Sequence, residues 1–419
     1  MKKVIFPSLS VLALLAVSTP SYAAGFYLQE QSSSGQGAAF AGQAAMPRDA
    51  SIIYYNPAGM TKLDGRQMNV GANLIAPISD PDDLGSSIGG VPTPGETQNP
   101  YITSVVPNFH FATPLSDENN IWAGISVTFP FGLSNKYDSD WFGRYDSIKS
   151  ELRTVNVQPS VAYKLNDSLS LGAGLDVQYV KADLTQAVAV GGTEGFGRFD
   201  GDDVSVGWNA GLLWDATERM DLGLHYRSRM NHELDLSSRV VSGAGPVIDD
   251  NGGTADLDLP DMATLAATYE LNEQWTLLAH AIWFGWSSFD NLRAVGSTGS
   301  VYQDIEQNYQ NTYAFAIGAE YEYSPEWTFR GGFQYDETPT QNEFRSTRTP
   351  DGDRMWFSAG ATYNINDRLS IDAAATYIDV DTSEVHVDRP QALDARTASI
   401  DGKYDQSVVI GTVGLNYKF

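Results

Sequence analysis

Histidine is the side chain best suited to acid–base chemistry near neutral pH, and this chain of 419 residues contains five. A serine hydrolase would need one of them within hydrogen-bond reach of a serine and an acid. The strand alternation described below turns three of the five toward an enclosed interior, where hydrogen-bonded networks with Asp221 and Arg227 are the simpler interpretation. We therefore predict that the protein is not an enzyme. The histidines are His110, His225, His232, His280 and His386, and the inward three are His110, His225 and His280.

Acidic clusters are the second candidate for chemistry, because hard cations such as Ca²⁺ prefer carboxylate ligands. They occur at DGDDV (200–204) and DDNGG (249–253). Neither has the spacing of a dedicated calcium loop, so we interpret them as solvated loop charge, with divalent-cation binding as the alternative. Cysteine is absent, which removes disulfides, thiolate metal sites and cysteine nucleophiles. The sequence suggests no nucleotide, metal or redox site, and we predict no cofactor.

The first 23 residues have the pattern of an export signal. Lys2 and Lys3 precede an apolar stretch, and Ser21 and Ala23 provide the small side chains that a signal peptidase requires. The apolar stretch is too short to cross a bilayer, so we predict cleavage after Ala23, with an uncleaved anchor as the alternative. Losing two lysines changes the formal charge from −26 to −28, leaving 24 of 26 basic residues against 52 acidic ones. Such a surface repels nucleic acid, which is not expected as a partner.

Strict alternation of apolar and polar residues is the strongest structural signal in the remaining chain. In TVNVQPSVAYKL the apolar positions run from Val155 to Leu165 at every second residue, and LSLGAGLDVQYV repeats the pattern from Leu169 to Tyr179. Strands of about ten residues are typical of tilted membrane strands, whereas strands of soluble sandwiches are usually about half as long. Pro159 lacks a ladder donor, and a local bulge is expected there. An apolar run of about 18 residues does not follow position 23, so helical membrane spans are excluded.

The connections between these strands alternate between short polar turns and long loops rich in Gly, Asp and Pro. Together with roughly fourteen strands, this is the pattern of an outer-membrane β-barrel. The last strand ends on Phe419, which resembles the signal read by the barrel-insertion machinery. We therefore predict an all-β fold, a transmembrane antiparallel barrel of about 14 strands over residues 65–419. It would lie in the outer membrane of a Gram-negative cell, in contact with outer-membrane lipid and lipopolysaccharide. Short turns are expected at 116–120, 166–168, 216–219, 272–274, 324–326 and 364–367, and long loops at 77–100, 130–153, 185–203, 231–256, 287–309, 337–353 and 379–407.

Residues 24–64 are rich in Ala and Gly and have neither alternation nor a helical stripe. A barrel of about fourteen strands leaves a lumen that its side chains alone do not fill. Irregular backbone is tolerated at membrane depth only where protein or water surrounds it, and the lumen provides such surroundings. We therefore predict that residues 24–64 form a hatch, or plug, inside the barrel. A mobile periplasmic tail is the alternative.

The stretch AGFYLQEQSSSGQGAAFAGQAAMPRDASIIYYNPAG resembles the mature N-terminus of the FadL-type outer-membrane transporters of long-chain fatty acids and hydrocarbons (the OmpP1/FadL/TodX family). The resemblance implies a hatch with the motif Asn56-Pro57-Ala58, and a Phe26 that lies near the ligand and moves as part of a gate. It also implies lateral release of the ligand through a gap in the wall at the third strand, where Gly132 matches the kink glycine. Further matches are VPNFHFATPLSD (106–117), FPFGLSNKY (129–137), WNAGLLWD (208–215), LPDM (259–262) and WSSFDNL (286–292).

The residues themselves also indicate a break in the third strand. Pro130 lacks an N–H donor, and Gly132 permits a bend. We expect the ladder to the next strand to be interrupted there. A strand that simply ends at its loop is the alternative.

The inward-facing side chains indicate the chemistry of the ligand. Two strands that run toward the cell exterior have apolar inward residues near their outer ends, while the lower lumen is polar. Apolar walls suit an alkyl chain, whose burial contributes about 0.8 kcal/mol per CH₂, better than they suit a water-filled pore. The alternative is that these side chains only pack against the hatch. They are Val180, Ala182 and Leu184 on one strand and Ile282, Phe284 and Trp286 on the other.

One departure from the family concerns the ligand's carboxylate. The fatty-acid branch binds it with basic side chains near the outer end of the fifth strand and before the tenth. The alignment places Gln186 and Gln310 there, so they are predicted to bind a head group through neutral hydrogen bonds. Arg198 and Arg293, in nearby loops, are possible substitutes for the basic residues, and a ligand without a carboxylate is the other explanation.

We predict a monomeric outer-membrane transporter for the passive uptake of long-chain fatty acids or similar hydrophobic molecules. The expected steps are binding in the upper lumen, movement of the hatch and lateral release at the third strand. A hydrocarbon uptake channel of the same family is the first alternative. A general diffusion porin, an outer-membrane lipid hydrolase and an adhesive role are less favoured.

Overall fold

The chain forms a closed antiparallel sheet in the computed structural model, which describes residues 25–116 and 118–419. The predicted signal peptide, residues 1–23, lies outside the described residues. Some strands consist of two pieces separated by an irregular stretch. The barrel strands are β1 (Gln67–Asp83), β2 (Ser104–Pro114), β3 (Ile121–Thr128 and Gly132–Lys136), β4 (Lys149–Lys164), β5 (Leu169–Val190), β6 (Thr193–Thr217), β7 (Met220–Arg227 and Met230–Ser242), β8 (Gly245–Leu259 and Met262–Glu270), β9 (Trp275–Phe284 and Asn291–Val295), β10 (Val301–Glu306 and Thr312–Glu322), β11 (Trp327–Asp336), β12 (Arg354–Asn366), β13 (Leu369–Pro390) and β14 (Thr397–Lys418).

The first and last strands close the barrel. β1 pairs with β14 from Gln67 with Lys418 to Asp83 with Gly402, so the sheet has no free edge at this seam. Each remaining strand pairs with its neighbour in sequence. The predicted all-β barrel of fourteen strands is therefore confirmed.

Side chains alternate between a buried inner face and an exposed, largely apolar outer face. On β4, Asn156 and Gln158 are buried, whereas Val161 and Tyr163 are exposed. The connections are short at one end of the barrel, here called the short-turn end, and longer at the other, the loop end. Aromatic side chains gather on the outer face near the short-turn end, as at the boundary of a membrane-embedded band. They include Tyr163, Tyr269, Trp275, Tyr323, Trp327, Tyr363 and Phe419.

At the loop end the strands extend far beyond the predicted boundaries. β5 and β6 remain paired up to Val190 with Thr193, and β13 and β14 up to Pro390 with Thr397. The segments predicted as loops at 185–203, 231–256 and 379–407 are therefore mostly strand. Strand residues outside the hydrocarbon need no apolar outer face, so the alternation that marks a membrane strand is lost there.

Pro159 lies exposed on the outer face of β4. The pairing of β4 with β5 keeps the same register on both sides of it, from Val157 with Val177 to Ser160 with Gly174. The expected bulge is thus replaced by a ladder that continues in register, and the proline only removes a hydrogen-bond donor.

Residues 25–66, here called the N-terminal segment, lie inside the barrel. They are buried from Gly25 to Ala45 and again from Asp49 to Met60. Ser32 caps the first of three short helices by accepting a hydrogen bond from Gly35 N. Within the described part of the chain, every helix is too short or too polar to span a bilayer. The helices of the N-terminal segment are α1 (Ser33–Gln36), α2 (Ile52–Tyr55) and a 3₁₀ helix (Pro57–Lys62), and a further 3₁₀ helix, Trp286–Ser288, lies in the irregular stretch of β9.

Glycines on the inner face of the wall let the N-terminal segment approach closely. A Cβ atom at Gly172 would lie 2.2 Å from Ala58 N, and one at Gly211 would lie 2.0 Å from Asn56 Oδ1. Contacts this short are incompatible with any larger residue unless the backbone moves. Glycine is therefore required where wall and segment touch. The same close approach occurs at Gly223 to Ala44 and at Gly332 to Ala38.

Replacing Gly172 by alanine should loosen the N-terminal segment while the barrel stays closed. The added methyl group collides with the backbone at Ala58, and overpacking of this kind costs about 1–3 kcal/mol. Limited proteolysis in detergent should therefore cut residues 25–66 faster in Gly172→Ala than in the wild type. Gly411→Ala is the matched control, since its Cβ would meet no described heavy atom within 4 Å. Equal cleavage rates in the two variants would contradict this packing.

Candidate ligand-binding site and wall gap

The third strand is interrupted at residues 129–131, where Pro130 lacks an N–H for the ladder. Toward β4 the pairing resumes after the interruption, with Gly132 opposite Arg153. Three residues of β3 lie opposite two residues of β4, which is a β-bulge. The sequence predicted that the ladder between β3 and β4 would be interrupted. In the structure this ladder continues, with its register shifted by one residue at the bulge.

The gap lies on the other side of β3, toward β2. The pairing of these two strands ends at Phe109 with Val127. Residues 105–108 of β2 stay paired with β1 but not with β3. Farther toward the loop end, an isolated bridge joins Tyr101 to Asn135. The wall thus contains an opening between β2 and β3 that is bounded above and below by backbone pairing.

The main chain of the N-terminal segment pairs with the interrupted part of β3 from inside the barrel. Leu28 N donates to Pro130 O at 2.7 Å, and Gly132 N donates to Phe26 O at 2.9 Å. Backbone polar groups at membrane depth are costly when they lack partners. The segment therefore supplies hydrogen bonds that a continuous strand would have supplied.

The side chain of Gln31 completes this pairing. Its Oε1 accepts from Phe129 N at 3.0 Å, and its Nε2 donates to Phe129 O at 3.1 Å. One amide side chain thus satisfies both backbone groups of the first interrupted residue. Glutamine is suited to the position because it carries a donor and an acceptor side by side.

An apolar cavity lies toward the loop end of the lumen. Phe26 lines it, so the residue whose carbonyl oxygen binds Gly132 also contacts the cavity. The other apolar lining residues are Leu133, Leu152, Ala182, Leu184, Phe199, Leu234, Leu236, Ala255, Leu257, Phe289, Leu292 and Ala294.

Aromatic rings hold Phe26 in place. Its ring centroid lies 4.9 Å from that of Trp286 and 5.4 Å from that of Phe289, both in edge-to-face arrangements. Phe131, from the interrupted part of β3, is 6.2 Å away. Such pairs contribute about 0.5–1.5 kcal/mol each beyond area burial. Displacing Phe26 therefore requires repacking of this aromatic cluster.

The predicted binding residues fall into three groups. Phe26 and Leu184 line the cavity, while Val180, Ile282, Phe284 and Trp286 are buried in the apolar cluster that surrounds Phe26. Gln186 does not line the cavity, but its Oε1 accepts from Nε2 of the lining residue Gln303 at 3.1 Å. Gln310 is exposed and lies outside the cavity, whose lining contains Gln307 instead.

The predicted hatch motif fastens the N-terminal segment to β6. Asn56 Nδ2 donates to Ala44 O at 2.7 Å and to Leu212 O at 3.0 Å, while its Oδ1 accepts from Ala58 N at 3.1 Å. Pro57 and Ala58 begin the 3₁₀ helix. The motif therefore holds the segment from within and lies apart from the cavity lining.

Arg348, which the sequence analysis did not single out, lines the cavity near its polar end. It lies in the loop between β11 and β12 and is only 4% exposed. The two arginines considered from the sequence lie elsewhere: Arg198 is exposed and bound to Asp183 at 3.0 Å, and exposed Arg293 lies 3.8 Å from Asp304.

The electrostatic surroundings of Arg348 include one carboxylate and a second guanidinium. Burial lowers the pKa of Arg348 to about 10; the Asp146 carboxylate opposes this shift, and the Arg389 guanidinium adds to it. Burial alone would raise the pKa of Asp146, but the two arginines and a hydrogen bond from Thr347 lower it below its ordinary value. Arg348 and Asp146 are therefore both ionised near neutral pH.

The inward histidines bind the N-terminal segment. His110 contacts Ser126 Oγ at 2.8 Å and Gln31 O at 2.9 Å, and His280 Nδ1 contacts Phe40 O at 2.9 Å. These arrangements contain a serine or a carbonyl but lack the acid of a hydrolytic triad. His225 is buried as expected, and His232 is buried as well.

Asp221 and Arg227, the predicted partners of the inward histidines, have other partners. Arg227 binds Asp176 and donates to Gln158 Oε1 at 3.0 Å, and Asp221 hydrogen-bonds with Asp215. At His110 and His280 the predicted networks are therefore replaced by bonds to the N-terminal segment. Within residues 25–116 and 118–419, His, Asp and Glu side chains do not gather into a group that could hold a metal ion.

A closed barrel with its own N-terminal segment in the lumen, and an apolar cavity beside a wall opening, defines a plugged outer-membrane transport barrel. The chain belongs to the outer membrane protein transport protein family (OMPP1/FadL/TodX), whose profile matches residues 14–419. The family resemblance noted in the sequence and the predicted outer-membrane location are thereby confirmed.

Relatives with known names cover most of this chain. The long-chain fatty acid transport protein of Escherichia coli O6:H1 (strain CFT073) is 32% identical over 404 residues, 88% of this chain and 89% of the relative. Outer membrane protein P1 of Haemophilus influenzae strain Rd is 28% identical over 414 residues, 88% of this chain and 89% of the relative. The crystal structure of a Pseudomonas aeruginosa FadL homologue matches with a TM-score of 0.86 at 25% identity, covering 94% of this chain and 100% of that chain. The Pseudomonas putida toluene transporter TodX has the same fold, with a TM-score of 0.70 at 18% identity over 95% of this chain and 100% of that chain.

Replacing Gln31 by leucine should expose the backbone of Phe129 to exchange. The substitution removes the two hydrogen bonds between Gln31 and the buried backbone of Phe129. Each unsatisfied group costs about 1–3 kcal/mol, so local opening should become roughly tenfold faster or more. Hydrogen–deuterium exchange of peptides covering residues 129–132 measures this change. Gln334→Leu is the matched control. It also removes a hydrogen bond inside the lumen, the one that Gln334 donates to Gln29, but Gln334 lies on β11 and not beside the interrupted part of β3. Unchanged exchange in Gln31→Leu would refute the role of this side chain.

Proposed function

We propose that this protein takes up long-chain fatty acids passively across the outer membrane, with the N-terminal segment acting as a hatch. The observation that carries the proposal is the double role of Phe26. Its ring lines the apolar cavity, and its carbonyl oxygen accepts the Gly132 hydrogen bond at the interrupted strand. A ligand that enters the cavity therefore competes for space with Phe26, whose main chain is hydrogen-bonded to the interrupted strand of the wall.

Entry begins in a groove at the loop end. Phe199 and Gln303 line both this groove and the cavity, so the two spaces are adjacent. Burial of an alkyl chain contributes about 0.8 kcal/mol per CH₂. A dilute lipid is thus captured without an energy source. Apolar side chains of the groove include Val188, Val240, Ile248, Val301 and Ile305.

Exit follows displacement of residues 26–31. Their movement removes the hydrogen bonds to residues 129–132 and uncovers the opening between β2 and β3. The ligand leaves sideways into the membrane, which suits an apolar molecule better than release into water. The monomeric state and the recognition of Phe419 by the insertion machinery remain predictions.

Hydrocarbon uptake is the second candidate. It is favoured by a cavity lining that is apolar except at one end, and by the fold shared with the toluene transporter TodX. A general diffusion porin is disfavoured by the buried N-terminal segment, because a porin requires an open aqueous path.

A disulfide between positions 27 and 131 should block transport reversibly. Tyr27 and Phe131 face each other across an antiparallel bridge of the non-hydrogen-bonded kind, for which the Cα atoms are about 4.5 Å apart and within disulfide range. The chain has no other cysteine. Oxidised Tyr27→Cys/Phe131→Cys should take up labelled oleate at least about tenfold more slowly than the same protein after reduction. The two single-cysteine variants control for the lost aromatic rings. Uptake that is insensitive to oxidation would sink the lateral route.

Filling the cavity should abolish uptake from within. Ala182→Trp places an indole among the lining residues of β5, whereas Ala173→Trp places one on the outer face of the same strand. In a strain lacking its own transporter, Ala182→Trp should lower uptake of labelled oleate about tenfold or more, and Ala173→Trp should not. Labelled alkane in parallel distinguishes the two candidates: wild-type uptake of alkane but not oleate would replace the fatty-acid proposal with the hydrocarbon one.

A further inference from the structure

Arg348 is a buried cation beside an apolar cavity, and its hydrogen bonds go to neutral acceptors. Its Nη1 donates to Ser150 Oγ at 3.0 Å, and its Nη2 donates to Asp146 O and to Gln186 Oε1, each at 2.5 Å. Its buried Nε has no hydrogen-bond partner among the described residues. A guanidinium group has five N–H donors, and in Arg348 the two Nη groups already have acceptors, including Lys149 O at 3.5 Å. The Nε–H is the donor left for an anion, which would bind it in a charge-assisted hydrogen bond.

The charges around Arg348 do not balance. The Asp146 carboxylate is the negative charge that acts most strongly on the pKa of Arg348. Both of its oxygens, however, have other partners: Oδ1 accepts from Arg389 Nε at 2.6 Å, and Oδ2 accepts from Thr347 N at 2.8 Å and Oγ1 at 2.7 Å. Two guanidinium groups thus share one carboxylate. The surplus positive charge is buried, and burial of an uncompensated charge is costly unless a ligand neutralises it.

Three acidic residues also border the cavity, Glu151, Asp200 and Asp256. Glu151 lies 2.6 Å from Lys149 and also pairs with Arg153, and Asp200 lies 3.3 Å from Arg198. Asp256 is exposed, and none of the three is among the charged groups that shift the pKa of Arg348. They therefore do not neutralise Arg348.

The position of Arg348 fits the polar end of an amphipathic ligand. Gln186 Oε1 accepts hydrogen bonds from both Arg348 and Gln303, and Gln303 lines both the cavity and the loop-end groove. The cationic group therefore lies where the apolar cavity meets its entrance. Phe26 and Phe289 lie among the apolar lining, available to an alkyl tail.

We propose that Arg348 binds the carboxylate of the ligand, with Gln186 and Gln303 as neutral neighbours, and so makes the cavity select alkyl carboxylates over neutral molecules of equal length. This inference rests on the proposed function and specifies the head group that its site takes. The positive charge that would bind the carboxylate thus lies in the loop between β11 and β12, and not on Arg198 or Arg293.

Binding of oleate and of oleyl alcohol to the purified full chain in detergent tests the proposal, because the two molecules differ only in the head group. The wild type should bind oleate more tightly than oleyl alcohol. Arg348→Met should weaken oleate binding by about tenfold or more and change oleyl alcohol binding less than about twofold. Arg348→Lys, which keeps the charge but not the planar fork, should retain part of the preference.

Two features keep the experiment decisive. Asp146 retains Arg389 and Thr347 in Arg348→Met, so the loop keeps its internal bonds, and Arg198→Met serves as a control that removes an exposed arginine nearby. Unchanged oleate binding in Arg348→Met, or a parallel loss of both ligands, would overturn the head-group role while leaving the proposed function standing. If the wild type binds neither ligand, the proposed function is wrong and this inference falls with it.

Discussion

The requirement that backbone polar groups be paired at membrane depth controls the architecture of this protein. Most of the barrel meets it through ladders between neighbouring strands, including the seam between β1 and β14. Several strands are interrupted, and at the interruption of β3 the groups of Phe129, Pro130 and Gly132 are paired by Gln31, Leu28 and Phe26 of the N-terminal segment. The N-terminal segment and the wall are thus joined by these hydrogen bonds. In the proposed route, opening the wall and moving the segment would therefore be one physical event, because both break the same hydrogen bonds.

The cavity connects this event to ligand chemistry. Phe26 is packed by Trp286 and Phe289 on one side and belongs to the hydrogen-bonded stretch on the other. An alkyl chain gains free energy by occupying the apolar lining, and the aromatic cluster loses packing when Phe26 moves. In the proposed route, the balance of these two contributions sets how readily the gap between β2 and β3 is uncovered.

The barrel could be predicted from sequence because hydrocarbon imposes both strand length and alternation, as from Val155 to Leu165. The strand extensions at the loop end could not, because outside the hydrocarbon their outer faces are polar. The break at Pro130 was visible in the chain, but the side on which the ladder fails depends on partners distant in sequence. Arg348 lies in a loop without periodicity and meets Gln186 only through folding, so it carried no local signal. The alignment put Gln310 at the cavity, but the irregular stretch within β10 brings Gln307 into the lining and leaves Gln310 outside it.

The glycines on the inner wall have a consequence for how such proteins diverge. At Gly172, Gly223 and Gly332 the main chain of the barrel touches the main chain of the N-terminal segment. Contacts of this kind leave no side chain that could be shortened to compensate for a change opposite. The wall and the N-terminal segment must therefore change together during evolution. A segment taken from a relative with about 30% identity would not fit the inner surface of this barrel.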